Sequence, residues 1–187
     1  MSSEELHRYI YFLTQVNKLG NVKIRNILNQ FRSPEDLFKS TINELKGIAG
    51  IEANISLAIL RSVKDKDRIF KEFDEIYKKA CKYNFKLISI LDKDYPENLK
   101  RIYDSPVLLY YKGRFSDKDK YSLSIVGTRN PTEYGKYNCE KFTEQISSLN
   151  IPVISGFARG IDTIVHKTCL KNSNINYAVF GCGVDVI

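Results

Sequence analysis

The chain has 187 residues, 43% of them hydrophobic and 27% charged, and its 29 Lys and Arg against 22 Asp and Glu leave a formal net charge of +7 at pH 7. That length and apolar content close a real core with room for one domain and a small accessory one, which makes this a soluble globular protein, while no apolar run approaches the roughly 20 residues of a membrane-spanning helix. Cys81, Cys139, Cys169 and Cys182 form no Cys-x-x-Cys pair and follow no secretory signal, so reduced thiols in a cytoplasmic protein are expected. The positive charge favours acidic partners such as nucleic acid, although a surplus spread along the chain is equally a solvated surface.

From Glu4 to about Tyr83 the apolar residues recur at helical spacing, as in Leu6, Tyr9, Ile10 and Leu13, then Val22, Ile24, Ile27, Leu28 and Phe31. This predicts a helical accessory domain over residues 1–83. Gly20-Asn21 separates its first two helices, Ser33-Pro34 supplies an N-cap followed by proline at the first helical position, and Gly47 with Gly50 breaks the chain again. One long helix is expected from about Glu52 to Tyr83. The stretch Leu45-Lys46-Gly47-Ile48-Ala49-Gly50-Ile51, with Ala53 and Ile55, resembles a helix-hairpin-helix element, and a weaker copy surrounds Leu19-Gly20-Asn21-Val22. Neither has the Gly-hydrophobic-Gly hairpin of the versions that touch nucleic-acid phosphates, so a helical accessory or protein-docking module is the preferred reading.

After Asn84 the pattern changes to short strands alternating with helices, and residues 84–187 read as a second domain. Strands are expected at Lys86–Leu91, Val107–Tyr111, Leu123–Val126, Val153–Ser155 and Tyr177–Phe180, and helices at Thr132–Leu149 and Asp162–Lys171 with a short turn near Glu97–Arg101. The alternation implies an α/β fold, a largely parallel sheet with right-handed crossovers. Asp117-Lys118-Asp119-Lys120 reads as a charged, solvated turn.

Two segments of this region stand out. Ser122 to Arg129 and Ser155 to Asp162 each end an apolar strand in small residues plus one arginine and then open a helix. Strand, tight turn and helix N-terminus together aim backbone N–H groups and a partial positive charge at one point, which suits an anion. Turns after successive parallel strands share the C-terminal edge of the sheet, so Thr128, Arg129, Gly156 and Arg159 are expected to converge on one phosphate-bearing ligand. The neighbouring residues have plainer readings: Asp162 as a helix N-cap hydrogen-bonded to His166 four residues on, Cys182 as a small buried thiol, and Tyr110, Tyr111 and Tyr134 as packing rather than base stacking. His166 and Cys169 are too few for a metal site, and no metal or cofactor is expected.

Five ordered motifs carry a family resemblance. Tyr95-Pro96-Glu97-Asn98-Leu99, Pro106 to Gly113, Ile125 to Arg129 with Tyr134-Gly135, Ser155 to Asp162 with His166, and Gly181 to Ile187 resemble the DNA-processing protein A (DprA/Smf) family. The resemblance implies a Rossmann-like domain preceded by a small helical one. It further implies single-stranded DNA binding, help in loading the RecA recombinase during natural transformation, and no enzymatic activity. Carried over by position, the phosphate-binding residues are Gly127, Thr128 and Arg129, then Ser155, Gly156, Phe157, Ala158, Arg159 and Gly160, and a third wall of Gly181, Gly183 and Asp185. Gly156, Ala158 and Gly160 are expected to let the backbone approach the phosphate.

Phe157 stands where the family pattern has leucine, Ile164-Val165 replaces a small pair, and family members continue beyond Ile187 through further strands. A sheet incomplete at its C-terminal side leaves an edge open, so association or marginal stability is expected, and the family's self-association into a homodimer and its recombinase contact are put in question. Two alternatives stand beside the binding module. One is a nucleotide-binding Rossmann-like hydrolase, for which Glu133 and Asp185 are the carboxylates at hand and no nucleotide-binding or nucleophile motif is present; the other is a noncatalytic regulatory fragment that pairs with a longer relative.

Overall fold

The structure, a computed structural model, describes residues 2–185. By compactness the chain divides into two units, Met1–Gly113 and Arg114–Ile187.

The first unit opens with α1 (Ser3–Thr14), α2 (Asn21–Gln30), α3 (Pro34–Phe38), α4 (Ile42–Lys46), α5 (Ala53–Lys64) and α6 (Lys66–Tyr83). Local chemistry sets several of these starts. Ser2 and Glu5 form a reciprocal capping box on α1, as Thr41 and Glu44 do on α4, and the Ser33 hydroxyl accepts the Asp36 amide with Pro34 opening α3. The apolar stripes then meet in a core of Tyr9, Ile10, Phe12, Leu13, Ile24, Ile27, Leu37, Leu45, Ile59 and Phe73, all essentially without solvent exposure.

The expected single helix from Glu52 to Tyr83 is instead two, broken at Asp65, which ends α5 and precedes α6. Neither glycine nor proline marks the break. The run Lys64-Asp65-Lys66-Asp67-Arg68 has no apolar residue to hold one face toward the core, so the chain resets its stripe there: Ile55 and Ile59 are buried before the break, Ile69, Phe73 and Ala80 after it.

The unit closes with β1 (Lys86–Ser89), α7 (Glu97–Lys100) and β2 (Leu108–Tyr111). Two of the expected strands stand outside the parallel sheet: β1 and β2 pair antiparallel, Lys86 opposite Tyr111 and Ser89 opposite Leu108, in a two-stranded sheet of their own. The four-residue α7 is too short to cover a sheet face as a crossover helix would. Both strands pack on α1. The change of periodicity at Asn84 and the break in compactness after Gly113 therefore mark different things: the hairpin begins a new pattern but shares the helices' core.

One polar cluster ties this hairpin to α1. The Asp92 Oδ2 atom lies 2.7 Å from His7 Nε2 and accepts the Ser89 amide at 2.6 Å and the Ser89 hydroxyl at 2.9 Å. Burial acts to raise the Asp92 carboxyl, but the hydrogen bonds from His7 and Ser89 outweigh it and leave the group below the ordinary carboxylate value. A lowered folded value means that the stabilisation is complete above the unfolded value, about pH 4, and is lost as pH falls through the folded one. Asp92→Asn is accordingly expected to cost about 1–3 kcal/mol at pH 7 and to flatten the acid limb of stability below about pH 4, read by urea denaturation at pH 7 and pH 3.5. A variant with the acid limb of the parent would show that the cluster does not act on stability.

The second unit contains a short 3-10 turn (Asp117–Tyr121), β3 (Leu123–Ser124), α8 (Glu133–Ser148), β4 (Val153–Gly156), α9 (Ile161–Lys171) and β5 (Asn176–Val179). Its three strands are parallel in the order β3-β4-β5, with Leu123 opposite Val153 and Val153 opposite Asn176. This is the expected α/β, Rossmann-like arrangement. Its core joins Val153 of β4 to Cys139 of α8 and to Val165 and Cys169 of α9, with Ile125, Ile146, Ile161 and Ile164 packed around them. Burial pushes both the Cys139 and Cys169 thiols up, which keeps them protonated and inert. The charged stretch read as a solvated turn also anchors the sheet, since Tyr177 of β5 donates its hydroxyl to the Asp119 carboxylate at 2.8 Å, and the Tyr177 phenol is pushed up by burial and by that carboxylate. Among the described residues no helix is long and apolar enough to cross a membrane.

Candidate functional site

Parallel register decides where the expected site residues come together. Because β3, β4 and β5 run the same way, the turns that follow them all leave the sheet at one edge: Gly127 to Arg129, Phe157 to Gly160, and Gly181 to Gly183. The N-termini of α8 and α9 start from that edge too, each with a partial positive charge.

The first two turns interlock through backbone. The Ile161 amide, first in α9, donates to the Thr128 carbonyl at 3.2 Å. Gly160 has φ +89, and a Cβ there would strike the carbonyl oxygens of Thr128 and Arg129. A Cβ on Gly127 would come within 2.6 Å of Ile161 Cγ1, and one on Gly156 within 2.5 Å of Asp162 Oδ2. These glycines serve first to let the two turns meet each other and the α9 side chains; a side chain at any of them would hit protein before it reached a ligand. Gly181 differs, since nothing lies within 4 Å of a Cβ built there.

Polar groups of these turns, Ser155 among the residues expected at the ligand and Asp162 and His166 beside it, make their bonds inside the protein. Ser155 is buried and its hydroxyl donates to the Ile125 carbonyl at 2.7 Å, stitching β4 to β3. Asp162 is 7% exposed and is not the N-cap, a place held by Gly160; its Oδ2 accepts the Ala158 amide at 3.3 Å and so braces the turn from beneath. Its Oδ1 is buried with no hydrogen-bond partner among the described residues. The expected Asp162–His166 hydrogen bond is absent. His166 instead donates from Nε2 to the Gly156 carbonyl at 2.7 Å, while Nδ1 lies 2.9 Å from Asn176 Oδ1, so the ring spans from β4 to β5. The reason is register: Asn176 stands opposite Val153, which brings it within reach of α9.

What faces solvent at this edge is basic and aromatic. Arg129 and Arg159 are exposed, and among the described residues neither pairs with a carboxylate. The Thr128 hydroxyl accepts the Asn130 amide at 3.2 Å, which shapes the turn that presents Arg129. The Phe157 and Phe180 rings pack on each other with centroids 4.5 Å apart and planes 35° apart, although they are 65% and 39% exposed. In the sequence Phe180 reads only as the end of a strand and is not singled out for the site. The register brings the pair together, because Gly156 stands opposite Val179 and the next residues, Phe157 and Phe180, follow in step.

The third wall is open. Gly181, Cys182 and Gly183 are exposed, so Cys182 is not the buried thiol expected, and Asp185 is half-buried. Val186 and Ile187 of the last motif lie outside the described residues. Tyr134, at the start of α8, is 79% exposed, which packing does not account for, whereas Tyr110 lies against Phe85 in the first unit. Of the carboxylates considered for hydrolysis, Glu133 is ion-paired with Lys136 at 2.6 Å. Among the described residues no group of three or more His, Cys, Asp or Glu is placed to hold a metal ion.

Comparison with known proteins adds independent findings. The sequence pattern that describes the DNA recombination-mediator protein A family matches residues 86–187. The chain is 39% identical over 102 residues to the DNA processing protein DprA of Streptococcus pneumoniae, a match covering 54% of this chain and 36% of that protein. It is 28% identical over 178 residues to the protein Smf of a Synechocystis species, covering 93% of this chain and 44% of the relative. The X-ray structure of DNA processing protein A from Streptococcus pneumoniae superposes with a TM-score of 0.69 at 30% identity, over 96% of this chain and 59% of that one. The chain thus spans less than half the length of these two curated relatives.

Proposed function

The chain belongs to the DNA recombination-mediator protein A (DprA/Smf) family of DNA-processing proteins, and on that premise we propose that it binds single-stranded DNA at the edge where the three parallel strands end. The observation that carries this reading is the pair Arg129 and Arg159, exposed on two interlocked turns with no carboxylate partner among the described residues. Two arginines without counter-charge beside two helix N-termini suit a phosphate backbone, and guanidinium forks hold phosphate oxygens bidentately. The contacting groups of Gly127, Thr128, Gly156, Phe157, Ala158 and Gly160 are then backbone, with Gly181, Gly183 and Asp185 flanking. The role is binding without catalysis, in the cytoplasm. By the family resemblance it serves to bring the RecA recombinase onto single strands, with residues 1–83 as an accessory module.

The test is a set of titrations of the 187-residue chain at several salt concentrations with a single-stranded oligonucleotide, a duplex of equal length and a mononucleotide. The single strand is expected to bind tightest, nearly independently of base sequence, with the logarithm of affinity falling linearly against the logarithm of salt. Equal affinity for the duplex would reduce the interaction to nonspecific attraction by net charge, and tight mononucleotide binding would favour the nucleotide-binding alternative.

A further inference from the structure

We infer that Phe157 and Phe180 form a platform on which an unpaired nucleobase stacks, so that the crevice takes bases as well as phosphates; this rests on the single-strand reading above. Both residues follow strand ends in step, and their rings lie 4.5 Å apart at the edge where Arg159 stands two residues beyond Phe157. Here Phe157 is 65% exposed, and both rings sit beyond the paired strand residues, where they add nothing to the ladder.

The platform is also held in place. His166 lies against Phe157 with ring centroids 6.1 Å apart, and the imidazole itself is fixed by the Gly156 carbonyl and Asn176 Oδ1. Phe157 is thus backed by Phe180 and by an immobilised ring, so little rotamer freedom remains to be lost when a base arrives. A basic groove joined to an aromatic face is the combination that single strands need, since every base has a π-face and stacking is tolerant of sequence.

The experiment compares base-bearing and abasic oligonucleotides with equal numbers of phosphates, on the parent chain, Phe157→Leu, Phe157→Ala and Arg129→Ala, with circular dichroism confirming the fold. The parent is expected to prefer the base-bearing strand. Phe157→Ala should weaken that strand by about 5- to 100-fold, Phe157→Leu in the same direction, with the salt slope and the abasic affinity of both variants unchanged. A parent that binds both strands equally overturns the platform without any variant being needed. If Arg129→Ala loses affinity and Phe157→Leu does not, the platform fails while the phosphate crevice stands. If Arg129→Ala binds as the parent does, the crevice reading itself fails. Concentration-dependent self-association that disappears in Phe157→Leu, with strand affinity intact, would assign the pair to protein docking and overturn the proposal.

Discussion

Arg129→Ala and Arg159→Ala are each expected to weaken single-strand binding by about tenfold to a hundredfold, and the double variant by more than either. A charge-assisted hydrogen bond to phosphate is worth about 1.5–3 kcal/mol, and each 1.4 kcal/mol is a factor of ten. Both side chains are exposed and, among the described residues, free of carboxylate partners, so their removal takes nothing from the fold. The double variant should also show a shallower salt dependence, by about 0.7 in slope for each single-strand phosphate that is no longer neutralised. Filter binding or fluorescence anisotropy across a salt series reads both quantities. An unchanged slope with unchanged affinity would mean that neither guanidinium meets a phosphate.

Gly160→Ala is the substitution expected to harm the second unit most. The positive-φ backbone of Gly160, φ +89 with ψ −126, costs an L-residue about 1–3 kcal/mol, and the added Cβ falls on the carbonyl oxygens of Thr128 and Arg129, which cannot swing away as a flexible side chain would. A total of about 3 kcal/mol or more is reached before any binding is measured. Gly181→Ala is the control, since its Cβ meets nothing within 4 Å and its backbone is not left-handed. Urea denaturation of the two variants should separate them widely. Equal stability would contradict the interlock of the two turns.

Much of the architecture was written in local chemistry. The capping sequences Ser33-Pro34 and Thr41 to Glu44 start α3 and α4 as their residue types require, and the glycines after Val126 and Ser155 mark the edge proposed as the site. The features that were not legible depend on which strands become neighbours. His166 meets Asn176 and Gly156 rather than Asp162, because α9 lies over β4 and β5, a relation that helical spacing alone does not contain. Ser155, expected among the ligand contacts, gives its hydroxyl to the Ile125 carbonyl, a partner that chain order alone does not indicate. The break at Asp65 carries no glycine or proline, since five polar residues in succession suffice to let a helix change its face.

The hydrogen bond from the Ile161 amide to the Thr128 carbonyl joins the two turns backbone to backbone, one residue before Arg129 and two after Arg159. The anchor points of the two guanidinium groups are therefore set by main chain, like the jaws of a caliper locked at one opening. On the proposed reading, a ligand whose anionic groups repeat along a chain would be met by both arginines, each from its own fixed anchor. Chain length in the ligand, rather than the identity of any one of its units, is then what such a gauge would measure.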